Sequence, residues 1–348
     1  MKVTNQFTGY IGTYTRKSSK GIYQIELNTE TGSLSVKGVA AKGDSPTYVN
    51  ADHSQGYLYA VAPGGLSAYQ IDQQTGELTY INHLNVKDGS PCHLSVSPDG
   101  KFAAAAFYHD GTLALYSRDP ETGALKEQLD VVKHEGEGPN KDRQDAAHTH
   151  YSGFSPDGRY IVAVDLGTDE IISYRYQEGA LQEASVFKTE AGAGPRHLVF
   201  HPEQPLAYCM TELSNEVLTL AYDKETGNFR QLQAIPAIPG DFTENSQGSA
   251  IHISSDGRFV YAGNRGHNSI AVYSADENNG ELTHIEYVST EGNWPRDFVL
   301  DPSEKYIVAS NQESDSIVLF NRDPETGRLT WTGQKIEVPE PVCVKFLK

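Results

Sequence analysis

A pair of histidines, a glutamate and several arginines, spread widely along the chain, carry the chemistry legible in this sequence. His148 and His150 stand in HTHYSGFSPDGRY, Arg196 and His197 in GAGPRHLVFHP, Glu212 in TEL, Arg265 in GNR and Arg296 in WPRDF. A charged loop ahead of them, GEGPNKDRQ, brings Lys141 and Arg143. Guanidinium forks bind carboxylate or phosphate in a bidentate way. A histidine or glutamate can act as general base on water, and an arginine can stabilise the oxyanion that forms. Such a set suits catalysis on a small anionic substrate, provided that the fold gathers these residues.

Other chemistries lack their signatures. The chain has no G-x-S-x-G nucleophile elbow, P-loop, H-E-x-x-H motif or dinucleotide fingerprint. His148 and His150 would share one face of a strand and could form a metal pair. A dication among several guanidinium groups would be repelled, so the reading is no metal and no cofactor.

A repeat does the gathering. The polar turn D-x-x-T-G-x-L, or a decayed form of it, recurs with its glycine at Gly32, Gly76, Gly123, Gly179, Gly227, Gly280 and Gly327. The mean interval is about 49 residues, within the range of propeller blades. Before each turn lies a strand of alternating apolar and polar residues, such as GLSAYQID, TLALYSRD and SIVLFNRD. A second turn, SPDG or a variant, occurs six times, and the missing half-unit lies at the termini. There EPVCVKFLK resembles the first strand of a repeat and TGYIGTYT the second. The expected fold is all-β: a seven-bladed β-propeller of four-stranded antiparallel blades, forming one unit over residues 1–348. One blade is shared between N- and C-terminal strands and closes the ring, so no sheet edge stays free.

In such a blade the loop entering the first strand and the loop between strands two and three open on one face. The first column should hold Cys92, His150, Arg196, Ser249 and Arg296. The second should hold Tyr14, Tyr108-His109, Asp165, Glu212, Asn264-Arg265 and Asn311-Gln312. Two long segments, 134–147 and 239–248, stretch the repeat and enter from the same face, with Lys141, Arg143 and Asp241. His93 and His252 read as core groups, and Asp99, Asp157 and Asp256 as turn residues.

Bulk properties narrow the class. A net charge of −18 argues against nucleic acid and against an anionic membrane surface. Cys92, Cys209 and Cys343 lie in apolar strand patterns without C-x-x-C spacing and read as reduced thiols. No leader-like apolar run opens the chain. The expectation is a soluble cytoplasmic protein, a monomer or weak homodimer.

Taken together, HTHYSGFSPDGRYIVAVDLGTD, GAGPRHLVFHP, TEL and GNR resemble the seven-bladed propeller lactonase family, which includes propeller-type 6-phosphogluconolactonases and the fungal carboxymuconate lactonizing enzyme. The likeness runs along essentially the whole chain, and GAGPRH with the following TEL is its most specific part. It implies a small anionic lactone as substrate, with His150, Arg196, Glu212 and Arg265 as catalytic residues. His148, Arg296, His197, Asp165, Lys141 and Arg143 are the substrate-binding candidates. Asp297 is acidic where bacterial phosphogluconolactonases tend to carry a neutral residue. The implied reaction is hydrolysis of a sugar-acid lactone, such as 6-phosphoglucono-δ-lactone of the pentose phosphate pathway, with Glu212 or His150 as base. The alternatives are a lactonizing cycloisomerase and a non-catalytic propeller that binds a metabolite or protein.

Overall fold

Both repeated turns fold for local reasons. In DQQTGEL, Asp72 Oδ1 accepts the N–H groups of Gln74 and Thr75 at 2.9 and 2.8 Å. Gly76 closes the turn at a φ of +70°, where a side chain would be strained. In SPDG, the Ser97 hydroxyl donates to Asp99 at 2.7 Å and accepts the Phe102 N–H at 3.0 Å. Asp157 and Asp256 are held the same way by Ser155 and Ser254. All three aspartates are turn residues, as their sequence positions imply.

Repetition of these turns builds seven four-stranded antiparallel sheets in the computed structural model, which describes residues 5–85 and 89–348. The first four residues of the chain, part of the opening read above as lacking a leader-like run, lie outside that range. Blade 1 joins Pro341–Phe346, as its inner strand, to Gln6–Thr13, Gly21–Asn28 and Ser33–Lys42. The register runs from Gly9 opposite Phe346 to Thr13 opposite Pro341, so the shared blade closes the ring as the sequence implied. The other inner strands are Val49–Ala51, His93–Val96, Thr149–Phe154, Pro195–Phe200, Gln247–Ile253 and Pro295–Leu300, for blades 2 to 7. The only helical segments among the described residues are two short 3-10 turns, Gln177–Gly179 and Gln312–Ser314.

The core lies between blades. Seven apolar clusters each draw residues from two neighbouring blades, as where Tyr59 and Leu66 of blade 2 meet Leu94 and Phe107 of blade 3. Alternation along the middle strands puts apolar side chains on both faces, so each blade is buried by its neighbours. Tyrosines add a polar lock. The hydroxyls of Tyr10, Tyr59, Tyr208 and Tyr261 donate to the carbonyls of Gly76, Gly123, Gly280 and Gly327 at 2.7, 2.7, 2.9 and 2.9 Å. Each ties the second strand of one blade to the outer turn of the next.

Candidate active site

Bulges aim the central residues. Where the inner strand of blade 4 starts, Thr149 pairs with Asp165 and Tyr151 with Val164, leaving His150 unpaired. Arg196 is skipped between the pairs Pro195–Thr211 and His197–Met210, and Arg296 between Pro295–Asn311 and Asp297–Ser310. An inserted residue of this kind bends the strand and redirects its side chain. All three residues border one cavity of ≈ 490 Å³ at the channel mouth, with His197, Glu212, Arg265 and Arg143.

Glu212 is the hub of this cluster, with its side chain 2% exposed. Oε2 lies 2.6 Å from Arg265 Nη2 and 3.0 Å from Arg196 Nε, and Oε1 takes a short hydrogen bond from Arg143 Nη2. The Arg196 contact lacks hydrogen-bond alignment and is an ion pair. Backbone bonds fix the hub: Glu212 N–H donates to Gly194 O at 2.7 Å, and its carbonyl accepts from Gly248 at 3.0 Å. Burial alone would raise the Glu212 carboxyl, but Arg265, then Arg196 and Arg143, outweigh it and hold the group well below the ordinary range. Burial, with Arg265 beside it, presses Arg196 down to about 9, which leaves the guanidinium charged at neutral pH. Arg196 and Arg265 are anchored on the carbonyls of Ser249 and Gly248 at 2.7 and 2.6 Å, yet the Nε of each lacks a hydrogen-bond partner.

His150 is 6% exposed, and its Nδ1 has no hydrogen-bond partner. Burial, then Arg196, lowers its pKa well below the usual value, so the ring is neutral. His197 stands edge-on to it at 5.2 Å, and His93 follows His197 at 5.4 Å, continuing down the channel. His93 is therefore a channel residue with a ring nitrogen accepting the Ser152 N–H at 3.3 Å.

Three binding candidates fall outside the cavity. Asp165 is fully buried within blade 4: Oδ2 meets His134 Nδ1 at 2.7 Å and Thr149 Oγ1 at 2.9 Å, while Oδ1 accepts the N–H groups of His148, Gly167 and Thr168. It pairs with Thr149 as Thr211 pairs with Pro195, so Leu166, not Asp165, occupies the place of Glu212. His148 stacks on Tyr108 at 4.4 Å and meets Tyr108 O and Asp145 with its two nitrogens. The bulge at His150 breaks the i, i+2 parity that put both histidines on one face. Lys141 is exposed and pairs with Glu137.

Asn264 and Asn311 likewise turn to backbone carbonyls, those of Ala237 and Thr290. Segment 134–147 delivers Arg143 because the buried Gln144 amide grips Leu166 O and Asp169. Asp297 also borders the cavity, where it accepts from the N–H groups of Phe298 and Val344 and faces His252. Sequence reading missed Arg16, which borders the cavity two residues beyond Tyr14. Its spacing from Tyr14 along the loop was the available signal. Among the described residues, no cluster of His, Cys, Asp and Glu is arranged to hold a metal ion.

A seven-bladed ring with arginines, a glutamate and a neutral histidine at one channel mouth defines a class. The profile described as "Lactonase, 7-bladed beta-propeller" matches residues 8–346, and the chain belongs to that family. A 6-phosphogluconolactonase of Bacillus subtilis is 50% identical over 346 residues, covering 98% of this chain and 99% of that protein. A Lactobacillus plantarum protein of known structure is 40% identical with a TM-score of 0.93, covering 99% of this chain and 100% of the other. The periplasmic gluconolactonase of Pseudomonas aeruginosa is 31% identical with a TM-score of 0.92, covering 99% of each chain.

Proposed function

We propose that this protein hydrolyses 6-phosphoglucono-δ-lactone to 6-phosphogluconate, with His150 as the general base. One observation carries that choice: Glu212 is saturated by three arginines, whereas His150 is neutral with an unpartnered Nδ1 beside the same cavity. The Glu212 oxygens are occupied by arginines, whereas the neutral imidazole keeps an unengaged nitrogen lone pair, with a basicity lowered by burial and Arg196. His150 would take a proton from water as the oxygen attacks the ring carbonyl. The oxyanion would meet Arg196 and Arg265, which both border the cavity. Collapse breaks the ring C–O bond, and the imidazolium returns its proton to the leaving alkoxide. The new carboxylic acid ionises to carboxylate and releases one proton to water. Glu212 would fix the arginines in place.

The 6-phosphogluconolactonase of Bacillus subtilis supports this substrate, which belongs to the pentose phosphate pathway. The unpaired cysteines suit a reducing cytoplasm. The test is hydrolysis of freshly generated lactone, coupled to 6-phosphogluconate dehydrogenase and corrected for the spontaneous rate. His150→Gln should lower kcat by about 10²-fold or more, and Arg196→Ala should cost more than ~2 kcal/mol in kcat/KM. Near-wild-type rates in His150→Gln would remove its role as base.

A further inference from the structure

Five arginines border the cavity, and their charge is unevenly matched. Glu212 engages Arg143, Arg196 and Arg265. Among the described residues, Arg16 and Arg296 have no carboxylate partner. Arg296 has one long hydrogen bond, from Nη1 to Gln312 Oε1 at 3.4 Å. Asp297, its neighbour in sequence, is engaged with backbone N–H groups and His252. The guanidinium carbons of Arg16 and Arg296 lie 3.7 and 5.5 Å from the centroid of the same Tyr14 ring. Their separation is thus no more than those distances combined, within reach of one phosphate group.

We propose that Arg16 and Arg296, arranged by Tyr14, form a subsite for the phosphate monoester of the substrate, separate from the Arg196–Arg265 pair at the carbonyl. In a chain of net charge −18, two unmatched cations beside one cavity are a local exception that an anionic ligand would satisfy. Guanidinium forks suit phosphate oxygens, and stacking on an aromatic ring limits the side-chain freedom lost on binding. Arg16 is exposed and Arg296 half-buried, which puts the subsite at the rim. The phosphate would stay partly hydrated there while the lactone ring reaches down to buried His150.

The proposal rests on the lactonase reading, and two measurements separate their fates. The first compares kcat/KM for 6-phosphoglucono-δ-lactone and for glucono-δ-lactone in wild type, Arg16→Gln and the Arg16→Gln/Arg296→Gln double variant. The phosphorylated-to-unphosphorylated ratio should fall by about 10-fold in the single variant and about 100-fold in the double, mostly through KM. A ratio within threefold of wild type in both variants overturns the subsite. The single variant alters an exposed side chain, so it still decides the matter if the double variant does not fold. The second titrates inorganic phosphate calorimetrically, which needs no turnover. Binding should weaken at least tenfold in Arg16→Gln; equal affinity, or no binding to wild type, overturns the proposal. Wild-type protein that hydrolyses neither lactone would remove the lactonase reading, and the titration would still decide the subsite.

Discussion

Two buried carboxylates in neighbouring blades, Asp165 and Glu212, invite comparison. Each lies at the end of a second strand, and each is held charged by its surroundings. Asp165 is surrounded by His134, Thr149 and three backbone N–H groups, all of them within its own blade and the loops that flank it. Glu212 gathers three arginines from a loop, its own blade and the next, and borders the cavity. The step between them is one residue of register. Thr211, the counterpart of Asp165, also closes a local turn by bonding Glu216 O at 2.9 Å. A lowered pKa and burial therefore do not separate a scaffold carboxylate from a site carboxylate; partner type and access to the cavity do.

The largest effect should come from Glu212→Gln. With the countercharge of three arginines removed, kcat/KM should fall by about 10³-fold or more and urea stability by about 3 kcal/mol. Asp165→Asn should give the opposite pattern, losing about 2 kcal/mol of stability through unmatched buried donors while keeping kcat/KM within about threefold where it is folded. Equal loss of activity in both variants would erase the distinction drawn above.

A smaller effect concerns buried histidines. Burial pushes His93 down to about 3 and His150 well below its usual value, so the folded state excludes protons that the unfolded chain binds below about 6.5. Their contribution is present above that pH and is lost as pH falls toward the folded values. Replacing His93 by Phe should reduce the slope of stability between pH 6 and pH 5 by about 1.4 kcal/mol per pH unit, read from urea melts. The smallest effect belongs to Lys141→Ala, which removes an exposed pair and should change neither stability nor kcat/KM beyond about twofold.

Much of this was legible beforehand. The turn glycines and tyrosine-bearing strands announced the blades because their causes are local. Arg196, Glu212, Arg265 and His150 were legible because the repeat gives each a column. The columns alone could not show the bulges. One skipped residue turned His148 away from His150 and placed Asp165 a step short of Glu212. Arg16 carried no column of its own, since it lies past the strand in a loop whose path depends on tertiary contacts.

The strand that completes blade 1 has a consequence for biosynthesis. Pro341–Phe346 follows every other blade strand in the chain, yet it supplies the inner edge of the first blade, and Val342 and Cys343 wall the cavity. A nascent chain with six blades already translated still lacks part of that wall and the strand that joins its ends. The ring can fasten only once this segment is available, so blade closure and the completed cavity wall arrive together.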